Sequence, residues 1–239
     1  MVRDKISRNL DERLVVYAEK DLELLREKRK RAERIMRAFV NLNAPFVLHG
    51  SVARGDVHER SDIDIAFLEP LPSYLVEISL EKIGEKIYER KIVQATPASS
   101  PKAYIVLDPE ELVVVSFPLV KLQPRELEFY KFGGAIGLDE LIRDFRIPGV
   151  NKKLELVRPV EVGYVLSSII GKESEVASML RISIDTVMER VRVLSRRDEI
   201  GRTGVYINES LLPGESFEQR LKELAERKPA LRRVILERW

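Results

Sequence analysis

VLHGSVARGDVHERSDIDIAFLEP, residues 47–70, is the stretch on which the reading of this chain turns. It opens on an apolar run, turns at Gly50-Ser51, crosses a charged segment and re-enters an apolar run that carries Asp62 and Asp64. On a strand, alternate residues point to the same face, so the two carboxylates stand side by side. Two acids so placed repel each other unless a cation lies between them.

A strand that feeds a Gly-small turn opening a helix presents backbone N–H groups and the positive end of a helix dipole to an anion. Gly50 permits close backbone approach, and Ser51 adds a hydroxyl donor or caps the helix. Paired carboxylate oxygens suit hard divalent cations such as Mg²⁺ (or Mn²⁺), best when substrate phosphates complete the shell. A phosphate cradle beside a two-carboxylate metal site is the minimum equipment for phosphoryl or nucleotidyl transfer. Arg54 and Arg60 flank the motif and are candidate contacts for triphosphate oxygens. His49 and His58 are the only histidines, and His49, at a strand end, reads as a packing or hydrogen-bonding residue. With no cysteine and a charged loop between the two histidines, zinc is not expected.

The outer bounds agree with a soluble α/β protein. A chain of 239 residues with 44% hydrophobic and 33% charged residues can bury a substantial core. Its net charge of +2 offers no global electrostatic argument for nucleic acid, so only local patches can make one. The absence of cysteine fits the cytoplasm. No apolar run is long enough to span a bilayer, and the charged N-terminal segment does not resemble a signal peptide, so no membrane partner is expected.

Residues 7–43 are helical in character, with Leu10, Leu14, Val15, Leu22, Leu25, Ile35 and Phe39 at roughly helical spacing. The run REKRKRAER, residues 26–34, interrupts that pattern and reads as a solvated helix face or a turn. Strands are predicted at 46–49, 63–68, 103–107 and 112–117, an amphipathic helix at 75–90, and a loop over QATPASSPKAY, residues 94–104. Gly133-Gly134, Gly137, Pro148-Gly149 and Pro159 then punctuate short helices. A domain boundary is placed near Gly149, giving domains 1–148 and 149–239.

HGSVARGDVHERSDIDIAF resembles the Gly-Ser … Asp-x-Asp signature of the DNA polymerase β-like nucleotidyltransferase superfamily, in particular its small prokaryotic, minimal members, over residues 35–120. The resemblance implies a mixed α/β (α+β) sheet with flanking helices. It implies that Gly50 and Ser51 hold the β- and γ-phosphates of an NTP, that Asp62 and Asp64 are catalytic and bind Mg²⁺, and that a nucleoside monophosphate passes to a hydroxyl. In that family a third carboxylate stands on a later strand. Here the equivalent strand, LVVVSF at 112–117, holds no acid; Asp108, Glu110 and Glu111 lie just before it.

ESEVASMLRISIDTVMERVRVLSRRDEIGRTGVYI, residues 173–207, patterns two short helices about a turn at RIS, then a Gly-bounded turn and a strand. Over residues 160–208 this resembles the winged helix-turn-helix of prokaryotic regulators, with Arg181 where Gly is usual in the turn. The resemblance implies a second helix in the DNA major groove, presenting Ser183, Thr186 and Arg192, with Arg196, Arg197 and Arg202 on phosphates. Asp185 and Glu189 on that face oppose a polyanion. A two-fold homodimer would be natural if DNA is bound. The tail, residues 216–239, is amphipathic with a break at Pro229 and reads as a packing or dimerising element. Two readings stay open: an enzyme that uses an NTP with Mg²⁺ to modify a macromolecular acceptor, and a nucleotide-sensing DNA-binding regulator that has lost its third acid.

Overall fold

The computed structural model describes residues 6–8, 11–201 and 204–238. In chain order the elements are β1 (Arg13–Val16), α1 (Glu19–Arg37), β2 (Phe46–His49), α2 (Ser51–Arg54), β3 (Ile63–Phe67), α3 (Ser73–Lys82), β4 (Glu89–Gln94), β5 (Lys102–Val106) and β6 (Val113–Pro118). They continue with α4 (Pro124–Gly133), β7 (Ala135–Ile136), α5 (Leu138–Ile142), β8 (Gly149–Val150), β9 (Glu155–Val160) and β10 (Gly163–Ser168). The last are α6 (Glu173–Leu180), α7 (Ile184–Ile200), β11 (Ile207–Ser210), α8 (Phe217–Arg227) and α9 (Pro229–Arg238).

Contacts divide the chain into two compact units that interleave: Met1–Lys30, Leu48–Ser61 and Pro124–Thr203 form the first, Arg31–Val47, Asp62–Gln123 and Gly204–Trp239 the second. The division therefore differs from a single cut near Gly149. The chain returns to each core more than once, which composition and punctuation do not encode.

In the first unit the antiparallel sheet β1-β10-β9-β8 is built on the β9–β10 hairpin, with Val160 opposite Gly163 and Leu166 opposite Val157. A core of Phe132, Val150, Leu154, Leu156, Ile169, Val176, Ala177, Leu180 and Val187 joins α4, β8, β9, α6 and α7. The helical reading is overturned at Arg13–Val16, an edge strand in register with β10, Leu14 facing Val165, while Leu10 lies outside the described residues. Adjacent Val15 and Val16 favour that extended backbone. The helix begins only at Glu19 and runs unbroken through the basic stretch to Arg37, with Ala32, Ile35 and Met36 buried on one side.

The second unit holds most of a seven-stranded sheet of order β11-β4-β5-β6-β3-β2-β7. β3 and β6 are parallel, whereas β6–β5, β5–β4 and β4–β11 are antiparallel, so the sheet is mixed. Ile65, Phe67, Val115, Phe117 and Ile105 are buried, and Phe39 and Phe46 pack with Phe67 at ring separations of 5.0 and 5.6 Å and with each other at 5.9 Å. The predicted helix 75–90 ends early, at Lys82. Gly84 takes a positive φ of 75°, and residues 89–94 become β4. The expected strand after α7 exists as β11, but its partner is β4, Ile207 opposite Gln94, so it extends the large sheet instead of forming half of a wing hairpin. Pro229 separates α8 from α9 as expected, at the first helical position where its missing N–H costs nothing.

Gly163 admits no side chain, because a Cβ there would fall inside the Val15 carbonyl. We expect Gly163→Ala to strip β1 from its sheet and to cost about 2 kcal/mol or more, read as a lowered midpoint of urea unfolding.

Candidate functional site: a braced turn and an acidic strand

Gly50 has φ 89° and ψ −150°, a conformation closed to residues with a Cβ, and it initiates α2. Its own N–H donates to Gly134 O at 2.9 Å, and its carbonyl accepts from Ala53 N and Arg54 N. The N–H groups of Ser51 and Val52, one turn into a short helix, have no intrahelical acceptor. Nothing lies within 4 Å of a Cβ built on Gly50, so the space beside its Cα is open.

Behind the turn almost every carbonyl is taken. Ser51 O accepts from Gly55 N at 2.7 Å, Val52 O from Arg29 Nη1 at 3.0 Å, Ala53 O from Ile147 N at 3.3 Å and Gly55 O from the Tyr17 hydroxyl at 2.9 Å. Arg146 Nη1 donates to that hydroxyl at 2.9 Å and anchors itself on Gly163 O and Val160 O. Lys28 Nζ donates to Ser61 O at 2.9 Å and so pins the end of the loop.

Arg54, expected on triphosphate oxygens, is only 5% exposed. Its Nε and Nη2 donate to the two carboxylate oxygens of Asp56, each at 2.9 Å, and Nη1 donates to Gly133 O at 2.5 Å. Burial pushes the Asp56 carboxyl up from its ordinary value, against the pull of Arg54. Arg60 is exposed in the turn that follows. His49 packs edge-on against Tyr130 and Phe129, with ring centroids 5.0 and 6.2 Å apart, which accords with a packing role.

Asp62 and Asp64 belong to the second unit. Asp64 lies on β3 and Asp62 just before it, both half-buried, and the intervening Ile63 is buried, so the alternation puts both acids on one face. In register with Asp64 on β6 stands Val114. Of the acids preceding β6, Asp108 Oδ1 accepts from Leu112 N at 2.9 Å, and Glu111 pairs with Lys91 of β4 at 2.8 Å. Among the described residues no cluster of three or more His, Cys, Asp or Glu able to hold a metal is present. Two oxygen-donor side chains on one face fit a hard cation whose shell a phosphate would complete.

The helix pair α6–α7 is present, turning through Arg181 at a left-handed φ of 53°. At the start of α7, where contacts to DNA are expected, Ser183 is exposed but bonded within the unit, and Thr186 is buried. Glu128 of α4 accepts from Ser183 N at 3.1 Å, from Ser183 Oγ at 2.6 Å and from Thr186 Oγ1. Thr186 is 2% exposed, and Arg125 of α4 pairs with Asp185 at 3.0 Å. Ser183 and Thr186 therefore seal α7 against α4. Arg192, Arg196 and Arg197 are exposed along α7, and Arg202 lies outside the described residues. Arg29, Tyr17, Asp56 and Arg146, which build the brace, were missed from sequence. Only Asp56, two residues after Arg54, carried a local signal.

The sheet is mixed, β2 leads into a braced Gly-Ser turn, and Asp62 and Asp64 lie just before and on β3. Residues 29–193 match the family described as nucleotidyltransferase domain, and the chain belongs to that family. Two solved structures are similar over part of their length. One is that of a GLD-2/RNP-8 complex, at 16% identity over 44% of this chain and 42% of that one, TM-score 0.28. The other is the polymerase core of TRAMP, an RNA surveillance complex, at 19% identity over 43% of this chain and 32% of that one, TM-score 0.28. This chain thus matches less than half the length of either. No curated protein matches it. No helix among the described residues is long and apolar enough to cross a membrane.

Desolvation works against it, but hydrogen bonds from Ser183 and Thr186 hold the Glu128 carboxylate below its ordinary value. A carboxylate depressed in the folded state stabilises above its unfolded pKa, and that contribution disappears as pH falls through the folded value. We expect stability to drop on acidification below the ordinary glutamate range, and Glu128→Gln to lose that part of the pH dependence in denaturation curves.

Proposed function

We propose that this chain binds an NTP together with Mg²⁺ (or Mn²⁺), its phosphates on the Gly50–Ser51 turn and the metal on Asp62 and Asp64, and that the complex serves transfer of a nucleoside monophosphate to a macromolecular acceptor. The observation that carries the reading is a Gly-Ser turn with open space beside Gly50 and with the Gly50 and Ser51 carbonyls bonded back within the unit, within a stretch that the family match covers. Bound there, the cation neutralises phosphate charge and polarises the transferred phosphorus. Ser51 adds a hydroxyl to the backbone N–H groups, exposed Arg60 adds charge, and Arg54 shapes the turn from behind. Val114, in register with Asp64, places no base beside the pair, so the β3–β6 strands supply no group to deprotonate an acceptor hydroxyl.

That gap favours a second reading, in which the bound nucleotide is sensed and the signal goes to DNA or another polyanion through exposed Arg192, Arg196 and Arg197 of α7. A homodimer in the cytoplasm would suit that role.

Incubation with α-labelled NTPs, divalent cation and cellular RNA, DNA or protein separates the two readings: label moves to an acceptor in the first and is only bound in the second. In either case we expect Asp62→Asn with Asp64→Asn to abolish cation-dependent NTP binding while the fold persists; unchanged affinity would remove the metal assignment. Arg192→Ala with Arg196→Ala is expected to lower the salt slope of polyanion binding by about 2 if the second reading holds.

A further inference from the structure

We propose that Arg54 and Asp56 are positioning residues: their buried ion pair, with the Gly133–Gly134 turn, fixes the shape of the Gly50–Ser51 loop for a triphosphate, and the Arg54 guanidinium itself does not touch the phosphates. The inference rests on the nucleotide-binding reading above and names what tunes that site.

Three observations within the first unit carry it. The first is engagement: each of Nε, Nη1 and Nη2 of Arg54 has an acceptor, two on Asp56 and one on Gly133, three of its five N–H groups. A guanidinium 5% exposed and already bidentate on a carboxylate has little to give a ligand without first losing that pair. The second is connectivity. Gly133 accepts from Arg54 while Gly134 accepts from Gly50 N–H, so one glycine turn grips the loop at its first residue and at the end of α2. The third is fit. A Cβ on Gly134, at φ 80°, would lie 2.7 Å from Arg54 Cγ, and one on Gly149 would lie 2.5 Å from Gly134 N. Bulk at either position would drive the Arg54 arm or the glycine turn out of place. Arg54 and the loop thus move as one body, and the direction of the Ser51 and Val52 N–H groups depends on it.

Positioning and direct contact predict opposite results for one substitution. Asp56→Asn removes a negative charge close to the loop and frees Arg54. A phosphate-contacting Arg54 would then bind ATP as well as before or better. A bracing Arg54 would lose its bidentate anchor, and ATP affinity would fall about tenfold or more, the range seen when supporting groups behind a ligand site are removed. Arg54→Lys provides an independent arm. Lysine keeps the charge and serves phosphate as a point cation, yet cannot reproduce three directed bonds, so bracing again predicts weaker binding.

The experiment is calorimetric titration of MgATP and of AMP into the full chain, its Asp56→Asn and its Arg54→Lys variants, with melting temperatures recorded alongside. Loss of MgATP affinity with AMP affinity retained, in whichever variant keeps its melting transition, supports the brace. MgATP affinity equal to or tighter than wild type in a folded variant overturns it and leaves the nucleotide-binding reading intact. Wild-type protein that binds no nucleotide overturns both.

Discussion

A guanidinium withdrawn from water must find acceptors for its N–H groups, or its burial costs several kcal/mol. Arg54 meets most of that demand with both oxygens of Asp56 and the carbonyl of Gly133. Much of the first unit follows. To bring Gly133 within reach, α4 must end where it does, and Gly134 must turn with positive φ. Gly149 must lack a side chain for β8 to pass so near. The loop that results is rigid behind, with open space beside Gly50, the combination that an anion site needs: donors fixed in direction before the ligand arrives.

The acidic strand obeys a different constraint, that of sheet register. Parallel pairing of β3 with β6 sets Asp64 beside Val114, and antiparallel pairing of β6 with β5 sets Val114 beside Val106. Asp64 is thus followed by two valines along its row. Beyond the two valines the row reaches Glu89 on β4. The same register sends Glu111 away, toward Lys91.

Much of this was legible in the sequence wherever the determinant was local. β2, β3, β5 and β6 follow from short apolar runs bounded by turn residues, and α6 and α7 from their spacing; Gly50, Ser51, Asp62 and Asp64 announced themselves by residue type and order. What escaped was set by distant partners. Leu14 and Val15 fit a helical period and a strand equally well, and only β10 decides between them. β11 follows α7 as a wing strand would, yet β4 supplies its partner. Arg54 was assigned to phosphate because an arginine beside a phosphate turn commonly contacts the ligand; its burial depends on Gly133, remote in sequence. Ser183 and Thr186 were assigned to DNA by their place at the start of a second helix, and Glu128 of α4 takes them instead.

The central claim is that two carboxylates and a nucleotide's phosphates together make one cation site. Its most direct test is titration of Mn²⁺ followed by electron paramagnetic resonance, with and without a non-hydrolysable ATP analogue. The account predicts weak Mn²⁺ binding to the protein alone and a marked tightening when the analogue is present, because two oxygen-donor side chains fill only part of an octahedral shell. Mn²⁺ affinity indifferent to the nucleotide, or nucleotide affinity indifferent to chelation of all divalent cations, would contradict it.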